Sequence, residues 1–356
     1  MNSYLLAVFL GYFLSVTCFA LVLNGVLLRF SKTLGIRTPV GETIRWNNQY
    51  KPSVGGISFY MLFLLSVASY TVFFPQSQPL MNKQLLGLLA SCSLAFIMGL
   101  ADDAYNTKPL LKLCAQITCG LILIASGTFI NIFTDNSANY ILTLFWVVGM
   151  MNSINMLDNM DGITTVISIN VLVFAILFAY LRDEYMNVYF LIMLGVLAAL
   201  CGFLYYNWNP SKLFMGDTGS QFLGVFLAAV GINCFWNPPD LNLHQIHSKQ
   251  LFVALLIFIM PVIDTSIVIV NRVAKGQSPF IGGKDHTTHH LVYMGFSERQ
   301  VTICFALVGF VSAALSLLIT AFIPNWGILH IVLFSVYFLT LLGSFFYVTK
   351  KFSPAK

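Results

Sequence analysis

A chain of 356 residues that is 58% hydrophobic, 15% aromatic and only 9% charged cannot cover a water-facing surface, because soluble domains spend about a quarter of their residues on charge. Its formal net charge of +5 is spread over the polar segments between apolar ones. The charge therefore reports membrane orientation and gives no footprint for nucleic acid. Apolar stretches of roughly 18–25 residues, each long enough to cross a hydrocarbon core of about 30 Å, recur from end to end. The composition predicts an all-α, polytopic integral membrane protein.

In chain order the apolar runs predict about eleven transmembrane helices, over 4–28, 57–75, 85–101, 113–133, 138–155, 163–181, 185–205, 218–236, 250–270, 301–323 and 326–348. The first run has no basic residue before it and is about twice as long as a signal-peptide apolar region, so it reads as a retained helix. No repeat of 20–50 residues and no low-complexity tail interrupts the pattern, so 1–356 reads as one integral membrane domain. The seven cysteines are an odd number, nearly all in apolar runs, without metal-ligand spacing. They read as small buried side chains.

Orientation follows from Lys and Arg. With the N-terminus outside, fifteen of the eighteen basic residues fall on cytoplasmic segments and only Lys83, Arg182 and Lys249 on the other side. The C-terminus is then cytoplasmic. The same sorting puts Asp102, Asp103, Asp158, Asp161, Asp217 and Asp285 in or beside cytoplasmic loops, with Asp264 alone deep in a span. The predicted site therefore lies on the loops at about 29–56, 102–112, 156–162, 206–217 and 271–300.

Four of these loops carry residues suited to chemistry on a phosphate. Asp102 and Asp103 are adjacent carboxylates at a membrane border, costly there unless hydrated, paired or bound to metal. Hard oxygen ligands of this kind suit Mg²⁺, although a solvated charge pair that stops a helix reads equally well. Asn152, Asn155, Asp158 and Asp161 step by three, which on a helix makes one polar stripe, and Gly162 follows as a helix stop. That stripe reads as a cavity lining, or as glue between helices. Asp217, between Gly216 and Gly219, stands where the next helix begins and suits a metal ligand, an N-cap or both. Lys212 adds a cation nearby and Phe214 a flat face for a base. Finally His286, His289 and His290 cluster after Lys284 and Asp285. A zincin would need a Glu between its histidines, so phosphate contact or a proton shuttle fits better.

In this order, these segments resemble the polyprenyl-phosphate N-acetylhexosamine-1-phosphate transferases, a superfamily that includes the peptidoglycan translocase. The resemblance rests on Gly55 and Gly56, on Asp102 and Asp103, and on Asn155, Asp158, Asp161 and Gly162. It rests further on Phe214 to Asp217 with Gly219 and Ser220, and on the histidine loop, and it spans about Lys51 to Leu291. The spacing of Asp285, His286, His289 and His290 looks like the branch that uses UDP-N-acetylhexosamines. Two departures concern the donor sugar: Asn106 stands where the family often has a third acid, and Asp158-Asn-Met-Asp-Gly162 stands where it commonly has Asp-Gly-x-Asp-Gly.

The resemblance implies transfer of N-acetylhexosamine-1-phosphate, GlcNAc-1-phosphate by default, from a UDP-sugar to polyprenyl (undecaprenyl) phosphate, releasing UMP. The alternatives are the phospho-MurNAc-pentapeptide transferase reaction and, further off, secondary transport. The implied cofactor is Mg²⁺, with Mn²⁺ in its place as a variant, held by Asp217 with Asp102 and Asp103. Catalytic work falls by the same carry-over to Asp102, Asp103, His289 and His290. Substrate binding falls to Lys51, Asn155, Asp158, Asp161, Asn207, Phe214 and His286. Membrane lipid is the other implied partner, nucleic acid is not one, and a homodimer is a compatible assembly. The implied location is the bacterial cytoplasmic membrane with the site facing the cytoplasm.

Overall fold

A computed structural model describes residues 3–31, 51–73, 82–278, 283 and 285–352. Lys284, together with Lys32, Arg37, Arg45 and Lys356 of the basic count, lies outside the described residues. The described residues form helices and no strand. The helices are α1 (Ser3–Phe30), α2 (Gly55–Phe73), α3 (Lys83–Tyr105), α4 (Pro109–Ala125), α5 (Asn136–Leu157), α6 (Ile163–Leu181) and α7 (Val188–Asn207). They continue with α8 (Gly216–Gly231), a π-helical turn (Ile232–Trp236), α9 (His247–Ile257), α10 (Ile259–Ala274), α11 (Thr287–Tyr293), α12 (Glu298–Phe322) and α13 (Ile328–Lys351).

Local chemistry sets the starts of these helices. Asn82, Asp135 and Asn187 each accept a backbone N–H at the first turn of α3, α5 and α7, satisfying donors that the helix itself leaves open. Pro109 opens α4, where its missing N–H costs nothing. Ser297 and Gln300 form a reciprocal capping box on α12.

Among the described residues, eight helices are long and apolar enough to cross a membrane, or nine if the bent pair of α9 and α10 counts as one. The apolar helices Gly55–Tyr70 and Pro109–Ala125 are shorter, so each of the eleven expected runs contains a helix but not all reach full spanning length, and the helix in the run predicted over 113–133 ends at Ala125. The run predicted over 250–270 is not one straight span: α9 and α10 meet at 80°. Phe258 leaves helical geometry between them, and Pro261 sits in the first turn of α10, where a proline is tolerated but cannot extend an earlier helix. The polar stripe also ends sooner than expected. α5 stops at Leu157, Asp158 is its C-cap, and a turn carries Asp161 to Gly162, which opens α6 instead of closing α5.

α8 forms the centre. It packs against α3, α5, α2 and α6, and every one of its residues is buried except Asp217. α1 and α2 pack on α7, α12 on α6 and α9, and α13 lies outermost with most of its surface exposed. Two close helix crossings fix where α8 begins. A Cβ on Gly56 would stand 2.2 Å from the Gly219 nitrogen, and one on Gly99 would stand 2.3 Å from the Asp217 carbonyl oxygen. Backbone thus meets backbone where α2 and α3 reach α8, an approach only glycine allows.

Candidate active site at one end of the bundle

The C-terminal ends of α3 and α5 meet the N-terminal ends of α4 and α8, so their polar termini gather at one end of the bundle. Asp103, on the last turn of α3, turns its carboxylate onto the start of α8. It accepts the backbone N–H groups of Asp217 and Thr218, both at 2.9 Å, and the Thr218 hydroxyl at 2.6 Å. A carboxylate is well placed there, because the first turn of a helix offers unpaired N–H donors and the positive end of its dipole. Since Asp103 takes those donors, the Asp217 side chain is released for other contacts.

Asp217 uses that freedom in two directions. One oxygen accepts the Lys112 ammonium at 2.6 Å, and the other accepts the Asn155 amide at 3.0 Å. Lys112 also reaches an Asp102 oxygen at 2.7 Å, so two carboxylates converge on one cation. The second Asp102 oxygen accepts the backbone N–H and hydroxyl of Thr107. The Asn155 amide is shared with the Ser220 hydroxyl at 2.8 Å. Deeper in the bundle, Gln116 is hydrogen-bonded to both Asn152 and Gln221. The stripe on α5 is therefore divided: Asn152 joins helices and Asn155 belongs to the acidic centre.

A second cluster lies beside the first. Asp161 is 5% exposed and accepts the Ser211 N–H at 2.8 Å and hydroxyl at 2.7 Å, with Lys51 at 3.5 Å and Asn209 at 3.3 Å. The Lys51 ammonium also donates to the Ser211 hydroxyl and stands over the Phe214 ring, 5.2 Å from its centre. Phe214, expected as an open stacking face, is buried with that cation over it. Asn207 is buried too, donating to the Leu213 carbonyl and accepting from Thr165. Both side chains thus shape the loop that leads to Asp217. Asp158 is half-buried at the end of α5. Lys212 is exposed, over the Tyr205 ring. Backbone bonds from Gly55 to the Phe214 carbonyl and from Gly56 to the Met215 carbonyl, both 3.0 Å, tie the Lys51 segment to this loop.

The histidines form a third cluster on and before α11, joined to the α5–α6 turn where Thr288 donates to Asn159 at 2.7 Å. His286 Nδ1 faces the buried Asp264 carboxylate of α10 at 3.1 Å, and the Thr287 N–H donates to the other Asp264 oxygen at 2.9 Å. Arg272 grips Asp285 with two bonds of 2.8 and 2.7 Å. Burial alone would raise the Asp285 pKa, but that guanidinium holds it below the ordinary carboxylate value. His289 accepts the His286 N–H on Nδ1. Burial, reinforced by neighbouring His286, pushes its pKa down to about 3, so it is a neutral ring at physiological pH. His290 Nδ1 pairs with the Phe352 carbonyl beyond α13.

Lys112, Asp264 and Arg272 carry these clusters, yet sequence reasoning gave them no role. A lone lysine in the first turn of an apolar helix, and a carboxylate inside an apolar run, were the available signals.

The donor set suits a hard divalent cation. Among the described residues no group of three metal-ligating side chains converges. Two carboxylates do, and they already share one cation, which matches the one or two protein carboxylates that Mg²⁺ usually takes alongside substrate phosphate.

Sequence comparisons supply a family and named relatives. A family model described as glycosyl transferase family 4 matches residues 85–235. The chain is 30% identical over 291 residues to a Staphylococcus aureus phospho-N-acetylmuramoyl-pentapeptide-transferase, covering 75% of this chain and 84% of that protein. It is 23% identical over 318 residues to a Bacillus subtilis protein named probable undecaprenyl-phosphate N-acetylglucosaminyl 1-phosphate transferase, covering 86% of this chain and 84% of the relative. It is also 28% identical over 293 residues to a Mycobacterium leprae decaprenyl-phosphate N-acetylglucosaminephosphotransferase, covering 73% of this chain and 71% of that one.

Proposed function

Because the chain belongs to glycosyl transferase family 4, we propose that it transfers a sugar-1-phosphate from a UDP-sugar to a polyprenyl phosphate, with N-acetylglucosamine-1-phosphate as the transferred group. The observation that carries this reading is the placement of Asp217. It is the one residue of α8 that is not buried, and it shares Lys112 with Asp102 at the end of the bundle. In this reading an oxygen of the lipid phosphate attacks the sugar-bearing phosphorus of the donor. The new P–O bond forms as the diphosphate bridge breaks, and UMP leaves.

Each cluster has a part in that displacement. Asp217 and Asp102 would hold a Mg²⁺ ion, which supplies charge neutralisation for the diphosphate when bound. Lys112 adds a second positive charge beside the same oxygens. Asp103 fixes the first turn of α8 and so the direction of Asp217. Asn155 and Asp158 line the nucleotide side, while Asp161, Asn207, Phe214 and Lys51 hold the loop behind it. His286 and its neighbours face the phosphates or the sugar. A phosphate monoester has its second pKa near ~6 and is mostly ionised at pH 7. The lipid nucleophile therefore needs orientation more than a base, and Asp102 serves better as a ligand than as a proton acceptor. The enzyme would lie in the bacterial cytoplasmic membrane with this end facing the cytoplasm.

The test is release of UMP by the purified, detergent-solubilised protein from UDP-N-acetylglucosamine and undecaprenyl phosphate. Release is expected with MgCl₂, lost with EDTA, and lost in Asp217→Asn. Full activity in that variant overturns the metal assignment. The greater identity to the pentapeptide transferase favours a second donor, UDP-N-acetylmuramoyl-pentapeptide. Preferential turnover of that donor in the same assay would replace the first reading.

A further inference from the structure

Asp264 is a carboxylate with 1% exposure on α10, just past the 80° break, and it meets two donors from the histidine segment. Such a group is costly to bury unless both oxygens are satisfied. Here one oxygen accepts the Thr287 backbone N–H and the other faces His286 Nδ1. An ionised carboxylate only accepts hydrogen bonds, so the proton of His286 must sit on Nδ1. We propose that Asp264 is the positioning residue of the transferase site: by holding Nδ1–H of His286, it presents Nε2 as the nitrogen that meets the donor substrate.

The surroundings make this pairing specific. Arg272, on the same helix as Asp264, is committed to Asp285 through a bidentate contact. His289 is a neutral ring whose Nδ1 accepts the His286 backbone N–H, and His290 is held by the Phe352 carbonyl. Asp264 is therefore the group that reads the His286 ring. The tautomer at such a ring is set by what its other nitrogen bonds to; removing such a partner from a metal-bound histidine costs about ten- to a hundredfold, and the same scale is expected for His286.

This inference rests on the transferase reading, and the experiment separates the two. In Asp264→Asn one position still accepts the Thr287 N–H. The amide NH₂ then faces His286 Nδ1, which must become an acceptor, so the ring proton moves to Nε2. The shape is kept and the tautomer is reversed. In ¹⁵N-histidine-labelled protein the variant is expected to exchange the Nδ1–H signature of His286 for an Nε2–H one, with an unchanged melting temperature. The kcat for UMP release should fall roughly 10- to 100-fold with a smaller change in KM. His286→Gln should fall similarly, and the double variant no further, because Asp264 acts through His286. Additive losses, or a His286 ring that keeps its tautomer, overturn the proposal. If the wild type releases no UMP from any donor, the functional reading fails, while the tautomer measurement still decides the Asp264 pairing.

Discussion

Substituting Lys112→Met removes the ammonium that Asp102 and Asp217 share. Its contacts of 2.7 and 2.6 Å place the two carboxylate oxygens within about 5 Å of each other. With the cation gone, two negative charges at that separation repel by about 3 kcal/mol at an effective dielectric of about 20. Asp217 keeps 25% of its side chain exposed, so screening lowers this, and a loss of about 2 kcal/mol is expected in metal-free buffer. A divalent cation that binds only the folded state at a hundred times its Kd restores about 2.7 kcal/mol. Thermal unfolding of the detergent-solubilised protein, followed by intrinsic fluorescence, measures both effects. In EDTA the variant should melt several degrees below the wild type, and MgCl₂ should raise the variant more than the wild type, where Lys112 already occupies the carboxylates. A variant as stable as the wild type in EDTA, with the same response to MgCl₂, would show that the two carboxylates do not form one charge centre.

Three other outcomes follow from the same geometry. Gly56→Ala drives a Cβ to 2.2 Å from the Gly219 backbone nitrogen. Backbone cannot step aside as a side chain can, so this small change should cost several-fold in folded yield on size-exclusion chromatography, and more than Gly343→Ala, where the added Cβ meets open space. Lys249→Met leaves the buried Asp240 carboxylate without its cation, with only the Asn242 and His244 N–H groups on its other oxygen, near the other end of the bundle where Lys249 also donates to the Ile323 carbonyl. Loss of one partner of a buried pair costs about 3–5 kcal/mol, so the melting temperature should fall while the specific activity of the folded fraction holds. His289 binds a proton in the folded state only near pH 3, against about 6.5 when unfolded. The unfolded state therefore takes up more protons between those limits, and stability falls as pH drops through that window, by about 2 kcal/mol at pH 5. His289→Gln should flatten that slope between pH 7.5 and 5 in thermal melts.

The sequence made some of this legible and hid the rest for physical reasons. Asp217 stood out because a carboxylate flanked by glycines at the edge of an apolar run has few bland explanations. Asn155 was legible from its spacing of three, which survives on α5 as far as Leu157. Asp161 shared that spacing but reaches its place by a turn, and a period cannot announce where it stops. Lys112 looked like one more basic residue at a membrane border, since charge counting does not say which carboxylate a lysine meets. The break at Phe258 was invisible because apolarity continues through it. Asp264 looked stranded inside a span because its partner His286 lies 22 residues on, past the end of α10, where only three-dimensional packing brings the two together.

The glycine crossings at the start of α8 bear on how such a site could diversify. Where α2, α3 and α8 touch through backbone, no side chain remains to be resized, so the acidic centre has almost no adjustable dimension. The histidine side is built differently. It hangs on a seven-residue helix held by a handful of side-chain bonds, each of which a single substitution can lengthen or retarget. On the proposed reading, a new sugar preference would be acquired on α11 and its neighbours, while the acidic centre stays the same.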